Sequence, residues 1–466
     1  MDDELAWLPA TALLQGYADR AFSPSEVQAA VESVIARREP TLHAFWQHDP
    51  EDAAKAARAS TERWAAGAPQ GPLDGVPVTV KENIARRGVP MPAGTAGPAP
   101  RTPDDNAPVT DRVLEAGAVV LGSTVMPDWG MLSSGVSSLH GISRSPLDPR
   151  LTTGGSSAGA GAAAAGGYGP LHVGTDIGGS IRLPGTWLGL ATLKPSDGRV
   201  PLDAPYLGRA AGPLTRSVAD AGLLMSVITQ PDPRDWSSLP AAEIDWDTTG
   251  FDPSRTTVGV LADAGCGLPV DPEVAAVTER AAEVFREAGA TVVPLDPWMR
   301  PELLERLDRF WRVRSLVDLD ALDPQAQQRV LPFIVRWVEA ARGTSGTELM
   351  ECYTAISTIR ARTVDATLGC DIVLSPVAPM AAFPAERPMP WGEDDQGMAH
   401  IGFTAPFNMS GQPAATVNAG FTEDGRTIGV QLAGRRFDDA GVLRAAAWWE
   451  QHRPTSAQVD WPSYDR

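Results

Sequence analysis

Apolar positions along this chain follow two alternating periods. Behind Ser23-Pro24-Ser25-Glu26, the stretch VQAAVESVIARREPTLHAF carries apolar residues at helical spacing, and its opening serine can cap the first turn. EDAAKAARASTERWAAGA reads as a second, alanine-rich helix, so 1–70 is expected to be helical. GVPVTVKEN then changes the period to a short β-rich run bounded by glycine and polar residues. A proline-rich loop over 87–108 leads into a helix, TDRVLEAGA, and a strand, VVLGSTV. Further on, TTVGVLA and ATVVPLD read as strands around the helix DPEVAAVTERAAEVFREAGA. Residues 301–367 are mostly helical in pattern, DIVLSPVAP, AATVNAGF and TIGVQLAG are strands, and DDAGVLRAAAWWEQH is a closing helix. Strands and helices alternate over most of the length, which indicates an α/β sheet with helices on both faces. Neither a repeat nor a linker interrupts it, so one domain over 1–466 is expected.

One stretch resists the pattern. GGSSAGAGAAAAGGYG, within 152–169, is low in complexity and fits either a flexible linker or a helix of very small side chains packed against neighbouring backbone. Its alanine density, and the strand-like LHVGTD behind it, favour the helix.

Composition narrows the function. The formal charge of −19 repels phosphate backbones, and no basic patch offsets it, so no nucleic-acid partner is expected. Three cysteines without a CxxC pair and six scattered histidines offer no disulfide framework or zinc spacing, so neither metal nor cofactor is expected. The opening MDDELAWLPA is acidic where a secretory signal is basic, and no apolar run reaches membrane-spanning length. A soluble cytoplasmic protein, as monomer or homodimer, is the expectation.

Three sites carry candidate chemistry. Lys81 ends an apolar strand; it either emerges into solvent or points into a closed cavity, where desolvation would leave part of it neutral and able to accept a proton. Gly155-Ser156-Ser157-Ala158-Gly159 satisfies the G-x-S-x-G elbow of α/β-hydrolases, with His400 and His452 downstream, but the residues before it read as loop rather than strand. Ser180 lies in GTDIGGSIRLPG, whose glycines can bring successive N–H groups together around a hydroxyl, as an oxyanion requires. The alternative there is a tight turn whose glycines serve packing alone.

Taken together, GGSSAGAGAAAAGGYGPLHVGTDIGGSIRLPG and GVPVTVKENI resemble the two motifs of the amidase signature family, in the right order and 75 residues apart from Lys81 to Ser156. FTAPFNMSGQPAATVNAG and IGVQLAGRRFDD extend the resemblance to nearly the whole chain. The resemblance implies one large domain with a mixed, mostly parallel twisted β-sheet covered by helices on both faces, its signature core over 71–200. It implies a nucleophilic Ser180, a bridging Ser156 on a cis peptide bond, and Lys81 as general base. Ile177, Gly178, Gly179 and Ser180 would supply oxyanion-hole N–H groups, and Asp176, Ser157 and Arg182 would hold the loop. Glu82 replaces the family's common aspartate after the lysine, Ala158 a glycine, and Asn418 a proline.

The reaction so implied is hydrolysis of a C–N bond through a serine acyl-enzyme. Trp129, Met131 and Leu132 lie where the family forms its acyl pocket, and Phe310, Trp311, Phe333 and Trp337 of the 301–367 region are expected near the entrance. These residues favour an apolar or aryl amide, with anilide or carbamate (urethane) cleavage and ester cleavage within reach of the same chemistry. Two alternatives stand beside it: the glutaminase component of a glutamine-dependent amidotransferase (its A subunit), and an α/β-hydrolase-type esterase using Ser157.

Overall fold

The computed structural model describes residues 3–392 and 394–464, so the first two residues of the acidic opening lie outside it. Eleven of its strands form one sheet. In chain order the strands are β1 (Phe45–His48), β2 (Pro77–Lys81), β3 (Val119–Thr124), β4 (Val136–Ser137), β5 (Gly141–Ile142), β6 (Leu171–Asp176), β7 (Ala191–Lys194), β8 (Ala210–Thr215), β9 (Thr257–Val260), β10 (Thr291–Pro294), β11 (Ile372–Pro376), β12 (Ala414–Phe421) and β13 (Thr427–Gly434). Across the sheet the order is β1-β3-β2-β6-β8-β7-β12-β13-β11-β9-β10, while β4 and β5 form a separate ribbon.

The sheet is mixed, with helices on both faces. Parallel ladders join β3–β2–β6 on one flank and β11–β9–β10 on the other. Antiparallel ladders join the strands from β6 through β8, β7, β12 and β13 to β11, and they attach β1 at the edge. The central strands turn back on one another, as in the β12–β13 hairpin, so antiparallel pairs outnumber parallel ones.

One face is covered by the helices Val218–Ile228, Pro272–Glu287 and Asp439–His452, whose apolar residues share a core with Val78 and Val80 of β2. Strand side chains alternate, so Thr79 and Lys81 project to the opposite face. That second face carries the helical region expected over 301–367, which consists of Pro301–Asp320, Pro324–Gln327, Pro332–Glu339 and Gly346–Thr367 and encloses a separate core.

The opening segment departs from its expectation in one place. Its long helix runs Pro24–Leu42 with the capping box formed: Ser23 Oγ accepts from the Glu26 N–H, and Glu26 Oε2 accepts from the Ser23 N–H at 2.8 Å. Yet Phe45–His48 is a strand, stabilised by long-range pairing with β3 that local pattern does not carry.

The alanine- and glycine-rich stretch is a helix, Ala158–Gly166, buried throughout. Its small side chains are a steric requirement: a Cβ on Gly159 would lie 2.2 Å from the Ala44 carbonyl oxygen. This helix follows directly on Ser156 and Ser157 and so anchors both.

Candidate active site

Lys81 closes β2, and Thr175 and Asp176 close the adjacent parallel strand β6. Ligands of open α/β sheets bind beyond such carboxyl ends, and this is where the candidate residues converge. Lys81 does not emerge into solvent. Its side chain is fully buried, with Nζ 2.9 Å from Ser156 Oγ, 3.1 Å from Ser157 Oγ and 3.1 Å from Thr175 Oγ1. Burial, reinforced by the nearby Arg209 charge, pulls its pKa down from the usual lysine range to about 7, against the opposing pull of Glu82 and Asp176. At neutral pH a large share of Lys81 is therefore the free amine.

The two serines beside it differ in what their hydrogens can do. Ser157 Oγ donates to the Thr175 carbonyl at 3.0 Å and accepts from the Thr175 N–H at 3.2 Å, so its hydrogen is already committed. Ser156, which follows a cis peptide bond from Gly155, has no such acceptor among the described residues, and its hydroxyl lines a cavity. Of the two serines, only Ser156 can therefore pass a hydrogen to the lysine while receiving one from the cavity side.

Ser180 lines the same cavity, 9% exposed. Its hydroxyl has no protein hydrogen bond among the described residues, and its carbonyl accepts from the Ser157 N–H at 3.2 Å, which ties the two serine segments together.

Asp176 shapes the turn that presents Ser180. Its carboxylate accepts the Gly179 N–H at 2.8 Å and the Ile181 N–H at 3.0 Å, and it pairs with Arg182 at 2.9 Å; both side chains are fully buried. Burial works against the charge on Asp176, but Arg182, Asn408 and the Ile181 N–H outweigh it and hold the carboxyl far below its usual range. Arg182 spends its remaining donors on the Thr404 carbonyl at 3.0 Å, on Gln431 Oε1 at 2.7 Å and on Asn408 Oδ1 at 2.5 Å.

This arrangement corrects one expectation. The Gly179 N–H is not a free donor, because Asp176 holds it. The N–H groups of Ile177, Gly178 and Ser180 have no protein acceptor among the described residues and remain for a ligand.

The cavity, about 290 Å³, is walled by Trp129, Gly130, Met131, Tyr206 and Trp311, among others. A smaller one of about 30 Å³ adjoins Ser180 on an apolar side formed by Leu132, Leu183, Met398 and Ile401. Trp129 and Met131 thus reach the larger space and Leu132 the smaller. Of the four aromatic residues expected near the entrance, Trp311 lines both spaces, whereas Phe333 and Trp337 are core residues of the helical layer and Phe310 packs beside them.

The histidines exclude the esterase alternative. His400 is buried against Ser133, and burial pushes its pKa down to about 3; His452 caps its helix by bonding the Trp448 carbonyl. Ser157, the nucleophile of that reading, has Lys81 and Thr175 as its side-chain neighbours instead.

Sequence reasoning missed several residues of the site. Thr175, the third hydroxyl on Lys81, follows an unremarkable strand pattern, and its only signal is adjacency to Asp176. Asn83, Tyr206, Arg209 and Arg314 also line the cavity and come from three separate places in the chain.

The family model described as Amidase matches residues 27–443. The acylamidase of Rhodococcus erythropolis is 33% identical over 465 residues, covering 97% of each chain. The indoleacetamide hydrolase of Bradyrhizobium diazoefficiens is 31% identical, covering 94% of this chain and 86% of that protein. A glutamyl-tRNA(Gln) amidotransferase component of Chloroflexus aggregans, its A subunit, is 31% identical, covering 98% of this chain and 100% of that protein. The crystal structure of a bacterial aryl acylamidase of the amidase signature enzymes superposes with a TM-score of 0.88 at 26% identity, covering 98% of each chain. With a buried lysine on two adjacent serines and a match of this extent, the chain belongs to the amidase family.

Proposed function

We propose that this protein is a hydrolase that cleaves the C–N bond of carboxamides through an acyl-enzyme on Ser180, within one catalytic domain. The observation that carries the reading is the 2.9 Å hydrogen bond between buried Lys81 Nζ and the cavity-lining hydroxyl of Ser156. Ser180 Oγ attacks the carbonyl carbon; its proton passes to Ser156 Oγ while the Ser156 proton passes to the neutral Lys81 amine. This relay requires the Ser180 hydroxyl to reach Ser156 as substrate closes the gap. The oxyanion accepts from the N–H groups of Ile177, Gly178 and Ser180. Lys81 then returns a proton through Ser156 to the departing nitrogen, which leaves as an amine, and water hydrolyses the acyl group and restores Ser180.

The apolar walls favour an apolar or aryl amide; anilides and carbamates (urethanes) place the same C–N bond at the same atoms, and esters a C–O bond. Three unbridged cysteines fit a cytoplasmic setting, and none of the described helices is long and apolar enough to cross a membrane. The likeness to the amidotransferase component supports a second reading, glutamine hydrolysis within a complex, which predicts glutaminase activity only when the other components are added.

Mass spectrometry of the protein quenched during turnover of an acyl anilide tests the proposal. The acyl mass is expected on the peptide containing Ser180 and absent from Ser180→Ala. Full hydrolysis by Ser180→Ala would overturn it.

A further inference from the structure

Arg209 and Arg314 line the cavity that holds Ser156 and Ser180. Arg209 directs its guanidinium to two carbonyls, Ala204 and Asn83, each at 3.2 Å. Arg314 lies over the ring of Tyr206, with its guanidinium carbon 5.2 Å from the centroid, and reaches Met131 Sδ at 3.9 Å. Neither guanidinium has an ion-pair partner among the described residues, in a chain whose formal charge is −19. The two cations sense one another: burial, and then the Arg314 charge, bring Arg209 down to about 10, with Asp203 opposing. Two like charges on one cavity wall, neither with a counter-ion, draw an anion into it.

A second wall feature bounds this space. Asn83 Nδ2 donates to Thr175 Oγ1 at 3.1 Å, while Asn83 Oδ1 is buried without any partner. The apolar space of about 30 Å³ that adjoins the larger cavity at Ser180 has room for only a small acyl group. The amine portion of the substrate therefore occupies the larger cavity, towards the two arginines.

Resting on the hydrolase reading above, we infer that Arg209 and Arg314 form an anion subsite for a carboxylate carried on the amine portion of the substrate. The preferred substrate is a secondary amide with a short acyl group and an acidic amine portion, such as an N-acylated aminobenzoate or amino acid. Charge-assisted bonds from two guanidiniums select that carboxylate over a neutral group of similar shape.

The test compares kcat/KM for 4-acetamidobenzoate with that for the neutral 4-acetylacetanilide. Taking the ratio of the two across variants cancels the difference in leaving groups. The ratio is expected to fall by at least about tenfold in Arg314→Gln and in Arg209→Gln, further in Arg314→Glu, and to decline with added salt in the wild type. Arg314 is a surface residue, so its variants probe the subsite without disturbing the core. A ratio unchanged in all three variants would overturn the anion subsite and leave the hydrolase reading intact. Failure of the wild type to cleave either anilide would overturn both.

Discussion

Asp176 takes the Gly179 N–H onto its carboxylate at 2.8 Å, and this bond decides which donors of the turn before Ser180 remain for a ligand. The same carboxylate is locked to Arg182, fully buried, so the turn is held by an ion pair rather than by its glycines alone.

Removing one partner of such a pair leaves the other charge buried and uncompensated. Arg182→Leu is expected to destabilise the fold by about 3–5 kcal/mol. Denaturant unfolding followed by tryptophan fluorescence measures it, and Arg182→Lys, which keeps the charge but not the forked geometry, is expected to recover only part.

The pH dependence follows from Lys81. The free amine accepts the proton, so kcat/KM is expected to rise as pH increases through about 7 and to fall away below it. Arg209 is a positive neighbour that lowers the lysine's pKa. Arg209→Gln is therefore expected to move the inflection to higher pH, read from the full pH profile on a neutral anilide.

Much of this was legible in the sequence, and the gaps have physical reasons. The β2 run ending at Lys81 and the GGSSAG and GTDIGGS segments are local patterns, and the structure sets Ser156 and Ser180 on one cavity with Lys81 buried against Ser156. The strand Ala210–Thr215 escaped because glycine and proline in its interior disguise it, and only burial between β6 and β7 makes it a strand. The commitment of the Gly179 N–H escaped because glycine count does not reveal where each N–H points. Arg209 and Arg314 escaped because surface-like arginines 105 residues apart carry no joint signal until the fold places them on one wall.

Gly130 sits against the reacting groups. Its φ is +71°, and a Cβ there would lie 3.2 Å from Ser156 Oγ and 2.9 Å from Met126 Cε. Gly130→Ala is expected to lower kcat by roughly tenfold to a hundredfold, since small displacements of a relay group are costly. Steady-state kinetics, with circular dichroism to show an intact fold, checks it.

The most direct measurement is the rate at which a phosphonyl fluoride labels the protein as a function of pH, with the labelled residue identified by mass spectrometry. The wild type is expected to be labelled on Ser180, at a rate that rises through pH of about 7. Lys81→Met is expected to react about 10²–10⁴-fold more slowly, with that inflection gone. An inflection that survives in Lys81→Met, or a label on Ser157, would contradict the account.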